Sequence, residues 1–373
     1  MSDLFEGFPK PQSGDMTLYV LGPGIGECQV LSLPDEKWLV VDCCCSGKSN
    51  LAKELLNHFG AKEIALLAIT HSYVDHIQGI PDLLQSFKVR QVWQWAHAGT
   101  RDDVLPRLCS LLPNNRRLRL LCSLQQAISS HEDANPNSVV DATTTTIPWS
   151  PSGSYSVCPL SPTPHEVHHY RKAIDALFEV RDTDTIVLNR KVNAFLGSSS
   201  RMPLPGNGLS VALSIGWGSR RILLGGDVEV SADQDRGWGG MLKYLKEEGR
   251  VHLLHNISVV KVAHHGSPGA FLPEAWKLHS SGGRVKVAVV TPHEGLREPL
   301  PRAKTLQDLS HHAERLAVTR QVKGAGHPLR NGWKRSSPSC VVGASAAAVA
   351  VVIPDRGGLQ LYLGKDARCF GSD

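Results

Sequence analysis

The run Thr70-His71-Ser72-Tyr73-Val74-Asp75-His76 stands directly behind an apolar stretch, Ile64 to Ile69. An uninterrupted apolar run bounded in this way describes a strand covered on both faces, the pattern of a parallel sheet. Open α/β sheets place their chemistry just past the carboxyl ends of such strands. His71, Asp75 and His76 therefore fall where chemistry is expected. Imidazole together with carboxylate suits zinc, manganese or iron.

Length and composition set the frame. The 373 residues are compatible with one large α/β domain carrying insertions. A hydrophobic content of 41% and a charged content of 20% are those of an ordinary globular protein. The net charge of +5, with 17 His uncounted, permits a polyanionic substrate without demanding one. The expectation is a protein with no signal peptide and no membrane span, because no apolar h-region opens the chain and no stretch approaches the length of a span. The cysteine count of nine is odd, and Cys43, Cys44 and Cys45 are adjacent. Disulfides rarely fit that pattern, so a reducing cytoplasm is expected. No C-x-x-C pair is present to suggest a zinc ribbon.

Residues 1 to 15 read as a polar arm, and 16 to 373 as the domain. Strands are expected over Met16 to Leu21, Cys28 to Leu33 and Trp38 to Asp42, the last two joined through Pro34-Asp35-Glu36. Residues 49 to 59 give a helix with Leu51, Leu55, Leu56 and Phe59 on one side. A helix over 79 to 87 and a strand over 91 to 95 follow the metal-like run. Residues 101 to 130 contain a Leu-rich helical stretch, 131 to 164 are rich in Ser, Thr and Pro, 165 to 180 look helical, and 181 to 208 are irregular. Residues 97 to 205 thus read as a loop-rich insertion, expected to cap the metal edge and set substrate choice. Strands return at Leu209 to Trp217, Arg221 to Leu224, Ser258 to Val262 and Val285 to Val290, with helices over 239 to 248 and 302 to 315. Apolar runs over 341 to 353 and 359 to 363 finish the chain.

Three further features fall at strand boundaries: Asp227 in Leu224-Gly225-Gly226-Asp227, the run His264-His265-Gly266-Ser267, and Asn207-Gly208-Leu209-Ser210 at a strand start. Taken singly, each has a plain structural explanation. An Asp after a strand is commonly a helix N-cap, and a His pair is commonly a surface feature. Their joint order and their strand-end placement are what single them out, because one sheet could bring them to one edge.

That joint order resembles the metallo-β-lactamase-fold hydrolases, and within them the branch of the soluble domain of bacterial DNA-uptake channel proteins. The family's T-H-x-H-x-D-H-x-x-G matches Thr70 to Gly79 except that Tyr73 stands where the second His belongs. Its N-x-S opening matches Asn207 to Ser210, its G-D-x-E matches Gly226 to Glu229, and its K-V-x-H-H-G-S matches Lys261 to Ser267 throughout. Its opening hairpin has counterparts in Leu21 to Cys28 and Val40 to Cys44. The resemblance spans roughly residues 16 to 295 and implies an αββα sandwich with two adjacent metal positions. His71 and the residue at Tyr73 would serve the first, Asp75 and His76 the second, with Asp227 bridging. One of His264 or His265 would complete the second position, and His264 is expected to be the ligand. Asp75 would orient a metal-bound hydroxide, and His265 would stand behind as partner or leaving-group acid. Asn207, Ser210 and Ser267 would lie beside the substrate. A phenol must ionise from a pKa of about 10 to replace an imidazole. The expectation is therefore one firm zinc or manganese and a second, weaker position.

The implied activity is metal-dependent hydrolysis, of phosphodiesters or nucleic acid first. The alternatives are a weakened member serving as a binding or regulatory module, and a hydrolase of small esters, amides or thioesters. Other features are set aside. Gly47-Lys48-Ser49 lacks the earlier Gly of a phosphate loop, since Asp42 occupies that place. Cys43 to Cys45 read as small buried side chains. His165, His168 and His169 read as a solvated helix face, and so do Arg116, Arg117 and Arg119.

Overall fold

The computed structural model describes residues 4–95, 104–178, 185–195, 207–277, 284–295, 299–321, 340–341 and 345–371. In chain order the strands of the two large sheets are β1 Met16–Leu21, β2 Cys28–Ser32, β3 Trp38–Val41, β4 Leu66–Ala68, β5 Val92–Trp95, β6 Val139–Ala142, β7 Tyr155–Pro159 and β8 Leu213–Trp217. They continue as β9 Arg220–Leu224, β10 Ile257–Lys261, β11 Val285–Val290, β12 Ala313–Val318, β13 Cys340–Val341, β14 Ala348–Ile353, β15 Gln360–Leu363 and β16 Arg368–Gly371. One sheet runs β6-β5-β4-β3-β2-β1-β14-β15-β13, the other β7-β8-β9-β10-β11-β12-β16.

The expected αββα sandwich is what forms. Side-chain alternation shows how the layers are made. Val259, Val287, Val289 and Ala317 of the second sheet share one core with Leu18, Val20, Val40 and Val351 of the first. Their neighbours Val260, Ala288, Val290 and Leu316 turn to a second core with Trp238, Met241 and Leu245 of helix Gly237–Glu247. A period of two on a strand sends successive residues to opposite faces, so the central residues of these strands are apolar on both faces. β3 and β4 pair in parallel, as do β9 with β10 and β10 with β11. Their carboxyl ends lead into Asp42, Thr70 to His76, Asp227, His264-His265 and Thr291 to His293.

Several sequence expectations change. Residues 4 to 15 are not a loose arm: Phe5 is 1% and Phe8 6% exposed, and Tyr19 donates from its hydroxyl to the Pro9 carbonyl at 2.6 Å. The expected helix over 302 to 315 stops at Ser310. Ala313–Val318 becomes a strand because β11 offers a parallel edge for it. The Leu-rich stretch splits into helices Val104–Leu111 and Arg116–Ala134. Within the supposed loop-rich insertion, β6 extends the first sheet beyond β5 and β7 extends the second beyond β8. Thr185–Phe195 is helical where an irregular segment was expected, and 96–103, 179–184 and 196–206 lie outside the described residues. Cys109 and Cys122 form a disulfide, contrary to the expectation of free thiols, whereas Cys28, Cys43, Cys44, Cys45, Cys158 and Cys369 are free. Among the described residues no helix is long and apolar enough to cross a membrane.

Helix Pro164–Phe178 shows a capping device that the sequence spells as Thr163-Pro164-His165-Glu166. Glu166 accepts from the Thr163 amide at 3.0 Å, and Thr163 Oγ1 accepts from the Glu166 amide at 3.3 Å, a capping box with Pro at the first helical position. The other Glu166 oxygen accepts from the Gly237 amide at 2.7 Å, at the start of helix Gly237–Glu247. Burial raises the Glu166 carboxyl to about 7, against the amide bonds that favour its charge. A raised folded-state pKa means that the folded protein holds a proton the unfolded chain releases. The contribution is complete below pH 4.5 and is lost as pH rises through about 7, at roughly 1.4 kcal/mol per pH unit in that window. Urea unfolding of Glu166→Gln at pH 5 and pH 7.5 should show a smaller pH-dependent fall in stability than the parent.

Candidate metal centre

Asp42 is the buried foundation of the site. It follows β3 with φ 57° and is 0% exposed. Its Oδ1 accepts from the Thr70 amide at 2.8 Å. Its Oδ2 accepts from Thr70 Oγ1 at 2.7 Å and meets His76 Nδ1 at 2.7 Å. With Nδ1 held by a carboxylate, His76 presents Nε2 to the cavity, the arrangement by which outer carboxylates orient metal-binding imidazoles. On the other side of the run, Gly26 has φ +79°, and a Cβ there would lie 2.3 Å from the Asp75 carbonyl. Only glycine lets the opening loop close on the short helix Val74–Ile77 that carries Asp75 and His76.

His76 Nε2 stands 3.4 Å from Asp227 Oδ1 and 3.7 Å from Asp75 Oδ2. His71 Nε2 stands 3.5 Å from Asp227 Oδ2. His71 Nε2, His76 Nε2 and Asp227 Oδ1 are buried and have no hydrogen-bond partner in the protein. Buried polar atoms are normally paired, so these converging atoms fit a bound cation. Ligands about 2.1 Å from a tetrahedral zinc are roughly 3.4 Å apart, close to the spacings found here. His71, His76 and Asp227 form one compact donor group, and Asp75, His76 and His265 form another.

Without a metal ion His76 carries the positive charge of the site: burial opposes it, but Asp227, Asp42 and Asp75 raise its pKa, and a bound cation would take that place. Burial, helped by the neighbouring His76 charge, drives His71 down to about 3, so it is neutral with a free lone pair. Burial opposes ionisation of Asp75, but His76 and His265 more than reverse this and hold its carboxyl well below the usual range. Asp227 is likewise held low against its burial by His76, His264 and His71. Tyr73 is different. Burial, and then Asp227 and Asp75, raise its phenol, so it stays protonated. Its ring lies edge-on to His71 with centroids 4.8 Å apart.

The two adjacent histidines face different ways. His265 Nε2 reaches Asp75 Oδ2 at 3.3 Å, while its Nδ1 meets the Thr291 carbonyl at 3.0 Å. His264 turns outward: its Nδ1 meets Glu229 Oε1 at 2.7 Å, and its Nε2 is 3.9 Å from Asp227 Oδ2. Both residues have positive φ, 42° and 53°, a left-handed turn that L residues adopt under constraint. Burial opposes charge on His264, but Asp227 and Glu229 outweigh it and lift it to about 9. Ser210 also differs from expectation. It is 0% exposed, and its Oγ accepts from the Asp227 amide at 2.7 Å, so it positions that carboxylate from within. Ser267 donates to Glu229 at 2.7 Å, and Asn207 reaches toward both Glu229 and His264.

Sequence reasoning missed four participants: Glu27, Thr291, His293 and the supporting role of Glu229. His293 Nε2 lies 3.6 Å from Asp75 Oδ2. It sits three residues past β11, as the recognised histidines sit past their strands, and that placement was a usable signal.

A family model described as the metallo-beta-lactamase superfamily matches residues 21–271. No curated protein matches the chain. Among solved structures, the metallo-beta-lactamase fold protein YhfI from Bacillus subtilis is 11% identical, with a TM-score of 0.41, covering 84% of this chain and 98% of that one. Unliganded yeast PDE1 is 14% identical, with a TM-score of 0.39, covering 74% and 87%. A diphosphatase from the PhnP family is 13% identical, with a TM-score of 0.35, covering 74% and 86%. Likeness at that level does not bear on substrate. The family model covers well over half of the sequence, and it matches the segment that carries His71, Asp75, His76, Asp227, His264 and His265: the chain belongs to the metallo-beta-lactamase superfamily.

Proposed function

We propose that this protein is a metal-dependent hydrolase of phosphodiesters, nucleic acid among them, with zinc or manganese held by Asp75, His76, His265 and Asp227. The observation that carries this reading is the buried, unpartnered pair His76 Nε2 and Asp227 Oδ1, 3.4 Å apart, with Asp75 and His265 grouped around His76. His71 and Asp227 offer a second, poorer position, because Tyr73 supplies no ionised oxygen there. A divalent ion bound in such a set lowers the pKa of its water toward neutrality and polarises a phosphoryl oxygen. The residues do the rest. Asp75, whose side chain is 19% exposed, is the accessible carboxylate that aligns an attacking water. His264, braced by Glu229, faces the open side, where a leaving oxygen would depart.

The phosphodiester assignment has two supports. The run Lys261 to Ser267 resembles that of the DNA-uptake branch. The exposed Arg117, in the first turn of helix Arg116–Ala134, lies near enough to Tyr73 for its charge to oppose the rise of that phenol. A cation at that rim suits an anionic substrate. The segment 97–205 would then cap the site, with this helix as its inner wall. A binding or regulatory module is the second reading, and the protonated Tyr73 favours it.

Elemental analysis after reconstitution should find metal in the parent protein. His76→Ala and Asp227→Ala should each lower the affinity by on the order of 100-fold or more, since each removes a donor from a sparse set. Metal-free parent protein would overturn the hydrolase reading in favour of the module. Tyr73→His should raise the metal content toward two per chain and increase cleavage of a generic phosphodiester such as bis-p-nitrophenyl phosphate. A lower rate in that variant would instead make Tyr73 a working part of the site.

A further inference from the structure

Lys261 ends β10, Ile257–Lys261, directly after Val259 and Val260, and its side chain is 0% exposed. A lysine in such a place is costly to bury unless it is paired. Its ammonium pairs with Glu27, which is also 0% exposed. Glu27 comes from the opening loop of the other sheet, directly after Gly26. Its carboxylate accepts from Thr291 Oγ1 at 2.5 Å and from Gln29 Nε2 at 3.2 Å, and its Oε2 lies 3.4 Å from His265 Nδ1. Burial opposes the charge on Glu27, but Lys261 and the nearby histidines hold its pKa below the ordinary value. Exchanging a buried ion pair for apolar side chains often leaves a fold as stable as before. Stability alone therefore does not account for this pair.

The position of His265 does account for it. On its Nδ1 side, the imidazole meets the Thr291 carbonyl at 3.0 Å and the Glu27 carboxylate at 3.4 Å. Both are acceptors, so Nδ1 carries the hydrogen. The Thr291 hydroxyl, 3.4 Å from the same nitrogen, is already committed as a donor to Glu27, so it does not compete by donating to Nδ1. Nε2 then faces the Asp75 carboxylate, 3.3 Å away, another acceptor, so a cation or a second hydrogen lies between the two.

We propose that the buried Lys261–Glu27 pair is a positioning device that fixes the Nδ1–H tautomer and the ring orientation of His265, so that Nε2 faces the Asp75–His76 donor group. Lys261 holds the Glu27 carboxylate in place, Glu27 and Thr291 hold the imidazole, and the imidazole completes the donor group. The pair also links the opening loop of the first sheet to the end of β10 in the second, so closure of the sandwich and assembly of the site are one event. The inference rests on the proposed reading of His265 as a donor, but its first test needs no metal.

Imidazole nitrogen shifts in the metal-free protein read the tautomer directly, with His265→Asn identifying the signals among the 17 histidines. At a pH where the ring is neutral, the parent should show a fixed Nδ1–H tautomer at His265. The double variant Glu27→Gln/Lys261→Met, which removes both charges at similar volume, should show a mixture of tautomers or the opposite one. An unchanged tautomer in the double variant would overturn the proposal and leave the pair a structural one. Should the double variant fail to fold, Glu27→Gln alone alters charge without altering shape and serves the same readout. Titration with Co(II) then separates the two readings. The double variant should bind about 10–100-fold more weakly, with shifted visible bands, while its metal-free Tm stays within a few degrees of the parent. Unshifted bands and parental affinity count against the positioning role. A parent that binds no Co(II) counts against the metal centre alone, because the tautomer result stands without it.

Discussion

Asp42 joins Thr70 and His76 inside the protein at 2.7–2.8 Å, and the arrangement of the metal edge follows from those contacts. The carboxylate leaves β3 in a left-handed turn, spans to the end of β4, and fixes the imidazole that every neighbouring donor faces. Without it, His76 would have two equivalent orientations of its ring and no preferred nitrogen toward Asp227. Ser210 does the same for Asp227 through its backbone, and Thr291 does so for His265. Each inward donor of the second sheet is thus set by a residue that never reaches the cavity. Placement by such outer contacts is what gives a metal site its affinity.

The sandwich explains why so much charge gathers at one edge. Parallel pairing in both sheets points the ends of β3, β4, β9, β10 and β11 the same way, and each end delivers polar residues to the same place. Glu27, Asp42 and Asp227 are buried there, and Asp75 is largely so. Among the described lysines and arginines, Lys261 alone forms an ion pair with any of these four carboxylates. Charges of one sign at such separation repel strongly in a poorly screened interior. Charge on His76 and His264 relieves part of this excess, and a bound divalent ion would relieve the rest. The edge is consequently the place where the fold is least satisfied by its own atoms, as the unpartnered His71, His76 and Asp227 atoms show.

Much of this was legible in the sequence, for a physical reason. Parallel strands buried on both faces leave unbroken apolar runs, and residues at their ends are polar only where something holds them. Ile64 to Ile69 followed by His71, Asp75 and His76 could therefore be read directly, as could Asp227 after Leu224. What escaped the sequence depended on contacts between distant segments. Ala313–Val318 has the composition of a helix as much as of a strand, and only the free edge of β11 decides between them. β6 and β7 lie in a Ser-, Thr- and Pro-rich stretch with little apolar content, and they are strands because each finds a sheet edge. Phe5 and Phe8 are two aromatics in a polar segment, and their burial depends on a surface formed by Tyr19 and its neighbours. Glu27 carries no signal until Lys261 is seen to need a partner.

The histidine pair marks where sequence pattern stops and backbone conformation takes over. His264 and His265 are chemically identical neighbours, so composition offers no ground for choosing between them. The left-handed turn through His264, His265 and Gly266 sends their side chains apart, one inward against Asp75 and the other outward against Glu229. Position 266 must be glycine for a related reason. Its φ is +73°, and a Cβ there would lie 2.9 Å from Pro301. The turn holds the inner histidine against Thr291 and Glu27 and leaves the outer one 19% exposed at the mouth. The same dipeptide thereby supplies a buried imidazole beside Asp75 and an accessible one beside Glu229 at one edge.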